Sequence, residues 1–270
     1  MLFQLLAQKD KALDAIPETF RQGGEDLSAF YDQLAYGNWT SPDAFLEHHR
    51  EFIKTGKFLI CHCLLEFEQP WSLTQNGGWY DALISAIHVD SPEKLRDNNL
   101  SIVTFNYDRS IDFRIHKYVE NQFGIPSQEA WQLLKDSIPI VHVHGTLGEY
   151  PKWGYGDQTS AWERGQDIKI IFEVGENTEE FRYASELLNS AERVVVLGFG
   201  FGQDNVRRLR YFTNQEFESR DIVIATGPTQ GSHSNKMIDE RLAQWGLIRN
   251  THHFAYTAER LFMSSRNPFA

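Results

Sequence analysis

Cysteine is nearly absent: Cys61 and Cys63 are the only two in 270 residues. Cysteines separated by a single residue seldom bridge, so no disulfide framework is expected and a reducing, cytoplasmic setting follows. Basic charge is short as well. Lys and Arg total 26 against 37 Asp and Glu, for a formal net charge of −11, which argues against a surface that neutralises many phosphates and hence against nucleic acid as a partner. The densest basic group, Arg207, Arg208 and Arg210, reads as a solvated helix face. The longest apolar run, Phe58 to Leu65, is far shorter than the roughly 20 residues a membrane span needs. No basic segment, apolar run and small-residue cleavage site succeed one another at the N-terminus, so no secretory signal is expected. Repeats and low-complexity tracts are missing too.

What is present is ordinary globular composition, 41% hydrophobic and 23% charged, enough to bury a sizeable core. Residues 1–98 carry apolar spacing near 3.6 over Leu5 to Ile16, Leu27 to Ala35, Pro42 to Lys54, Phe58 to Phe67 and Tyr80 to Ile87, which predicts helices. Pro17, Gly37 and the Gly77-Gly78 pair separate them. Ser41 before Pro42, and Asp90 or Ser91 before Pro92, have the order of an N-cap followed by proline in the first turn. From residue 99 the pattern changes. Short, mainly β-branched runs appear at Leu100 to Phe105, Ile138 to Val143, Lys169 to Phe172, Val194 to Leu197 and Ile222 to Ala225. Helical stretches separate them, at Asp112 to Asn121, Gln128 to Asp136, Thr178 to Ser190 and Asn205 to Gln215. Strands alternating with helices predict an α/β fold: a Rossmann-like parallel sheet with helices on both faces over residues 99–270, with the helical N-terminal region, residues 1–98, packed on it as one composite domain.

Ligands of open parallel sheets bind beyond the carboxyl ends of the strands, so the residues just after each apolar run are the candidates. Asn106-Tyr107-Asp108 follows the first run, His144-Gly145-Thr146 the second, and Gly198-Phe199-Gly200-Phe201-Gly202 leads from the Val194 to Leu197 run towards Asn205. The glycines allow backbone to approach a ribose or phosphate, and they serve equally well as a tight turn without a ligand. Asn106 and Asp108 suit a polar site and equally the cap of a helix beginning near Arg109. His142 and His144 share one face of a strand. Gly145 directly after His144 selects His144 as the reactive imidazole, with His142 as the alternative. His48-His49 and His252-His253 lack the separated Cys or carboxylate partners of a zinc site, so no metal is expected. Trp153, Tyr155 and Trp162 suit core or lid packing, or the cover of a nucleotide or partner.

Three segments carry a family resemblance: Thr104-Phe105-Asn106-Tyr107-Asp108, Val141-His142-Val143-His144-Gly145-Thr146-Leu147-Gly148, and Leu197-Gly198-Phe199-Gly200-Phe201. They resemble the Asn-x-Asp, His-Gly and glycine-turn motifs of the sirtuin family, in that family's order. More closely, the chain resembles the bacterial sirtuin-like domains that lack a zinc module and commonly act as NAD-consuming effectors of defence against phage. The segment Phe45 to Lys57, with Glu51 to Lys57 inside it, looks like the helical insert of that group. The resemblance implies NAD as substrate and ADP-ribose as product. It implies that Asn106 holds the nicotinamide ribose or orders the attacking water, that Asp108 contacts the carboxamide, and that His144 is the general base on a ribose hydroxyl. Thr104, Phe105, Gly145, Gly198, Phe199, Gly200 and Asn205 would line the nucleotide. A homo-oligomer or protein partner stays open.

The chemistry makes these residue types sensible. Breaking the nicotinamide glycosidic bond develops oxocarbenium character at the ribose carbon, where a positioned amide, a carboxylate and a base of pKa about 6.5 are all useful. Two departures bear on the activity. No apolar strand running into a Gly-Ala-Gly-x-Ser phosphate loop is found, Gly23-Gly24 following Arg21-Gln22 instead, which keeps open a catalytically silent nucleotide-binding or scaffolding subunit. The four-cysteine zinc module that helps form a peptide cleft is missing, which places protein deacylation last.

Overall fold

The computed structural model describes residues 27–39, 42–74, 78–170, 172–173, 178–199, 205, 208–209, 221–225, 240, 243, 251–254 and 257–263. The helix expected at Leu5 to Ile16, the Ser41 cap and Gly200 lie outside them. The described residues form an α/β structure, rich in helix with small parallel sheets. No helix among them is long and apolar enough to cross a membrane. They fall into two compact units, one drawn from Met1–Ser72, Phe105–Phe113 and His144–Gly175, the other from Leu73–Thr104, Arg114–Val143 and Glu176–Ala270.

The first unit contains α1 (Leu27–Tyr36), α2 (Pro42–His48) and α3 (Ile53–Leu65). The spacing predicts one helix from Pro42 to Lys54, but the chain breaks at His49. There φ is −119° and ψ is 66°, outside the helical region. The His49 ring instead stacks on Phe45 at 4.8 Å. Phe30 meets Phe45 and Phe52 edge to face, at 5.3 and 5.4 Å between ring centroids, the arrangement that the ring quadrupoles favour. Around these rings, Leu46, Leu59, Ile60, Leu65, Leu147, Ile168 and Ile170 complete one core. Cys61 and Cys63 are free thiols buried in α3. Burial pushes them up to about 12 and about 11, so neither is poised as a thiolate. A short helix, Ala161–Gly165, packs on α3. Gly165 makes that approach possible, because a Cβ there would lie 3.1 Å from the Lys57 carbonyl oxygen.

The second unit carries both sheets. Strand β1 (Ile102–Thr104) pairs in parallel with β2 (Ile140–His142), Thr104 opposite His142. The chain between them crosses over through helices Ser110–Phe123 and Ser127–Ser137, as parallel pairing demands. Helix Glu179–Ser190, capped by the Thr178 hydroxyl, packs on β2 and leads into β3 (Arg193–Leu197). Then β4 (Asp221–Ala225) lies between β3 and β5 (Thr251–Phe254), all parallel. Ser91 caps helix Pro92–Arg96 as expected, accepting the Lys94 amide. Two expectations need correction, and one strand has no signal in the sequence. Lys169 and Ile170 are not in a strand, because the Ile170 amide donates to the Glu173 carboxylate at 3.1 Å rather than to a neighbouring strand. His252 and His253 lie in β5, a strand the sequence does not signal. Arg208 is buried against the Phe181 ring rather than solvated.

His116 is buried in this unit and its Nε2–H donates to the Ser127 carbonyl at 2.7 Å. Burial holds its pKa below the usual 6.5, so the unfolded chain binds the proton more readily than the folded one. Stability is therefore complete above about pH 6.5 and declines as pH falls through the depressed folded value. Thermal melts of wild type and His116→Gln between pH 8 and pH 5 should show a steeper acid decline in wild type. Parallel declines would contradict this.

Candidate functional site

Asn106 and His144 each stand two residues beyond the paired strand ends Thr104 and His142. Both belong to the first unit, together with Phe105, Tyr107, Asp108 and Gly145. The two segments are tied there by backbone, the Leu147 amide donating to the Tyr107 carbonyl at 3.0 Å. His144 is 4% exposed. Its ring lies 5.6 Å from that of Phe105 and 6.4 Å from that of Tyr107. Asn106 is exposed. The pair thus offers an accessible amide and an imidazole set among aromatic rings.

Tyr107 fixes the far side of the loop. Its hydroxyl donates to the Lys169 carbonyl at 3.3 Å, and the Lys169 amide donates to the His144 carbonyl at 2.8 Å. Burial, with the Asp43 and Glu173 carboxylates nearby, pushes its phenol upwards, so it stays neutral. Glu173 is held by Lys57, whose Nζ lies 3.0 Å from Oε2. Asp108 accepts the Ser110 amide on Oδ1 at 3.2 Å, at the start of helix Ser110–Phe123. The capping reading of Asp108 is therefore realised, and this oxygen is engaged in it. Ser110 also shares a 2.8 Å hydrogen bond with the Tyr155 hydroxyl, whose ring stacks on Phe113 at 4.4 Å.

Gly145 is required by the backbone. Its φ is +78°, and a Cβ would stand 2.1 Å from the Asp167 carbonyl oxygen. Gly145→Ala should destabilise the fold by about 1–2 kcal/mol from the left-handed conformation alone, with the backbone collision adding to that. Urea unfolding measures it, and a loss within error would contradict the conformation described.

The remaining candidates lie in the second unit. Thr104 ends β1 and its carbonyl accepts the Val143 amide at 3.1 Å. Gly198 follows β3 at φ +62°, its amide donating to the Ala225 carbonyl at 2.8 Å. Phe199 is partly buried, as is Asn205 on a helical turn. The aromatics of the 153–162 loop are engaged in packing: Tyr155 on Phe113, Trp162 against Phe58, and Trp153 beneath the Arg164 guanidinium at 5.6 Å. Among the described residues, no cluster of three or more His, Cys, Asp or Glu side chains is arranged for a metal ion.

Sequence reasoning missed one buried charge network beside these loops. Glu68, Arg109 and Arg164 are each no more than 1% exposed. Glu68 Oε1 accepts both the Arg109 amide and its Nε–H at 3.0 Å, and Oε2 accepts from the Arg109 Nη2 and lies 3.9 Å from that of Arg164. Arg109 reads from sequence only as a helix start. Glu68 has no local signal at all.

Comparison with known proteins gives no match: no family model fits the chain, and no curated protein or solved structure is significantly similar to it.

Proposed function

We propose that this protein hydrolyses the nicotinamide–ribose bond of NAD, releasing nicotinamide and ADP-ribose. The observation that carries the reading is the placement of Asn106 and His144, each two residues past a register pair of two parallel strands, with their loops joined through Leu147 and Tyr107. Loops beyond the carboxyl ends of parallel strands are where such sheets bind nucleotides. The reading takes the two small sheets as pieces of one Rossmann-like sheet with helices on both faces. Helix Glu179–Ser190, packed on β2 ahead of β3, supports that arrangement.

In the proposed reaction, a water oxygen bonds to the ribose carbon while the carbon–nitrogen bond breaks. The bonding pair goes to nicotinamide, which departs neutral without help from an acid. His144 acts as base on a ribose hydroxyl, and the proton that the water loses reaches it through that hydroxyl. Asn106 orients the water or the ribose hydroxyls, and its exposed position suits a group that must meet substrate. Asp108 contacts the carboxamide with what its capping role leaves available. The resemblance alone assigns Gly198, Phe199, Gly200 and Asn205 to the adenosine side. A cytoplasmic effector role in defence against phage extends the same resemblance.

A second reading is a silent nucleotide-binding or scaffolding subunit, favoured by the capping role of Asp108 and by a sequence without the Gly-Ala-Gly-x-Ser loop. Nicotinamide release and ADP-ribose titration on the same purified chain separate the two. Turnover supports hydrolysis; ADP-ribose binding with no turnover supports the silent binder.

A further inference from the structure

The buried network has a geometry that a simple ion pair does not need. Glu68 follows α3, in the helical N-terminal region of the chain, yet it takes the backbone amide of Arg109 as well as its guanidinium. It therefore grips the Asn106–Asp108 loop by main chain, one residue behind Asp108. Arg109 in turn donates to the carbonyls of Gly148, Trp153 and Gly154 at 3.4, 2.7 and 3.3 Å. Arg164 donates from Nε to the Leu147 carbonyl at 2.8 Å, and from Nη1 to the carbonyls of Asp157 and Thr159. Leu147 and Gly148 close the loop that starts at His144. Both candidate loops are thus bonded to one three-residue cluster, in which one carboxylate faces two guanidiniums.

We propose that Glu68 is a positioning residue: through Arg109 and Arg164, its buried carboxylate fixes together the two loops that carry Asn106, Asp108 and His144. The cluster touches no group expected to react, so it acts on geometry. Loss of about an ångström in the placement of reacting groups lowers turnover by about a hundredfold. For turnover the inference rests on the NAD-hydrolysis reading; for loop order it does not.

The test is hydrogen–deuterium exchange by mass spectrometry on the full chain, comparing wild type, Glu68→Gln and Arg164→Lys, with NAD turnover measured on the same samples. Glu68→Gln should speed exchange in both 105–110 and 144–149. Arg164→Lys keeps the charge but loses the planar fork, and should speed 144–149 alone. Folded Glu68→Gln should lose about a hundredfold in kcat with KM little changed. The proposal is overturned if neither loop speeds up, if exchange rises evenly across the unit, or if kcat is unchanged. Should Glu68→Gln not fold, Arg164→Lys decides by the same criterion for 144–149. A wild type without turnover contradicts NAD hydrolysis only, and the exchange comparison still decides the positioning role.

Discussion

Replacing Glu68 with alanine is expected to lower the unfolding free energy by about 3–5 kcal/mol, the range seen when one partner of a buried ion pair is removed. The size follows from what stays behind. Arg109 and Arg164 are 1% and 0% exposed, so two buried guanidiniums of like sign would be left with no carboxylate between them. Burial first, and Arg109 second, already hold the Arg164 guanidinium below its ordinary pKa with Glu68 present. Against a typical total of about 5–15 kcal/mol, such a loss leaves the protein marginal or unfolded. Replacing all three residues by apolar ones should not restore it. Buried ion pairs elsewhere are often exchanged for apolar packing without loss, but here Arg109 and Arg164 each donate to three loop carbonyls. Those acceptors would lose their donors, at about 1–3 kcal/mol for each that stays buried. Urea unfolding of wild type, Glu68→Ala and the apolar triple variant checks this. A Glu68→Ala midpoint equal to wild type would contradict the account of the cluster.

His144→Ala is expected to reduce nicotinamide release by about 10²- to 10⁴-fold, the contribution of a positioned general base. The imidazole lies two residues past the end of β2, among the rings of Phe105 and Tyr107, and the proposed chemistry brings it the one proton the reaction sheds. Because the ring also packs, circular dichroism must show that the variant is folded before its rate is read. His142→Ala is the natural companion. His142 lies within β2 at 9% exposure, and its loss should leave kcat close to wild type in a folded protein. If the large effect appears in His142→Ala instead, the general base has been assigned to the wrong histidine.

The strands β1 to β4 were legible because each is a short run dominated by Val and Ile that fits a pleated, buried surface. β5 was not: Thr251-His252-His253-Phe254 has no such run, and only pairing with β4 makes it a strand. The opposite error arose at Lys169 to Phe172, an apolar run whose Ile170 amide is claimed by Glu173. Local hydrogen bonding to a side chain there overrides β propensity. In the same way His49 breaks a helix that the apolar period would carry through, its ring being taken up by Phe45.

In the candidate site, the loops could be placed from strand ends alone, and so could the choice between site and cap for Asp108, though not its outcome. Glu68 could not be found. Its partners are 41 and 96 positions away along the chain, and an acidic residue after a helix carries no mark of burial in its sequence. The charge balance is equally silent, since an acidic chain has many carboxylates and only packing shows which one lies inside.

The most direct test of the central claim is nicotinamide release from NAD by the purified full chain over a wide protein concentration range, with His144→Ala and Asn106→Ala beside it. The account predicts turnover by wild type that is lost in both folded variants. Wild-type turnover matched by His144→Ala, or no turnover at any concentration, would contradict it.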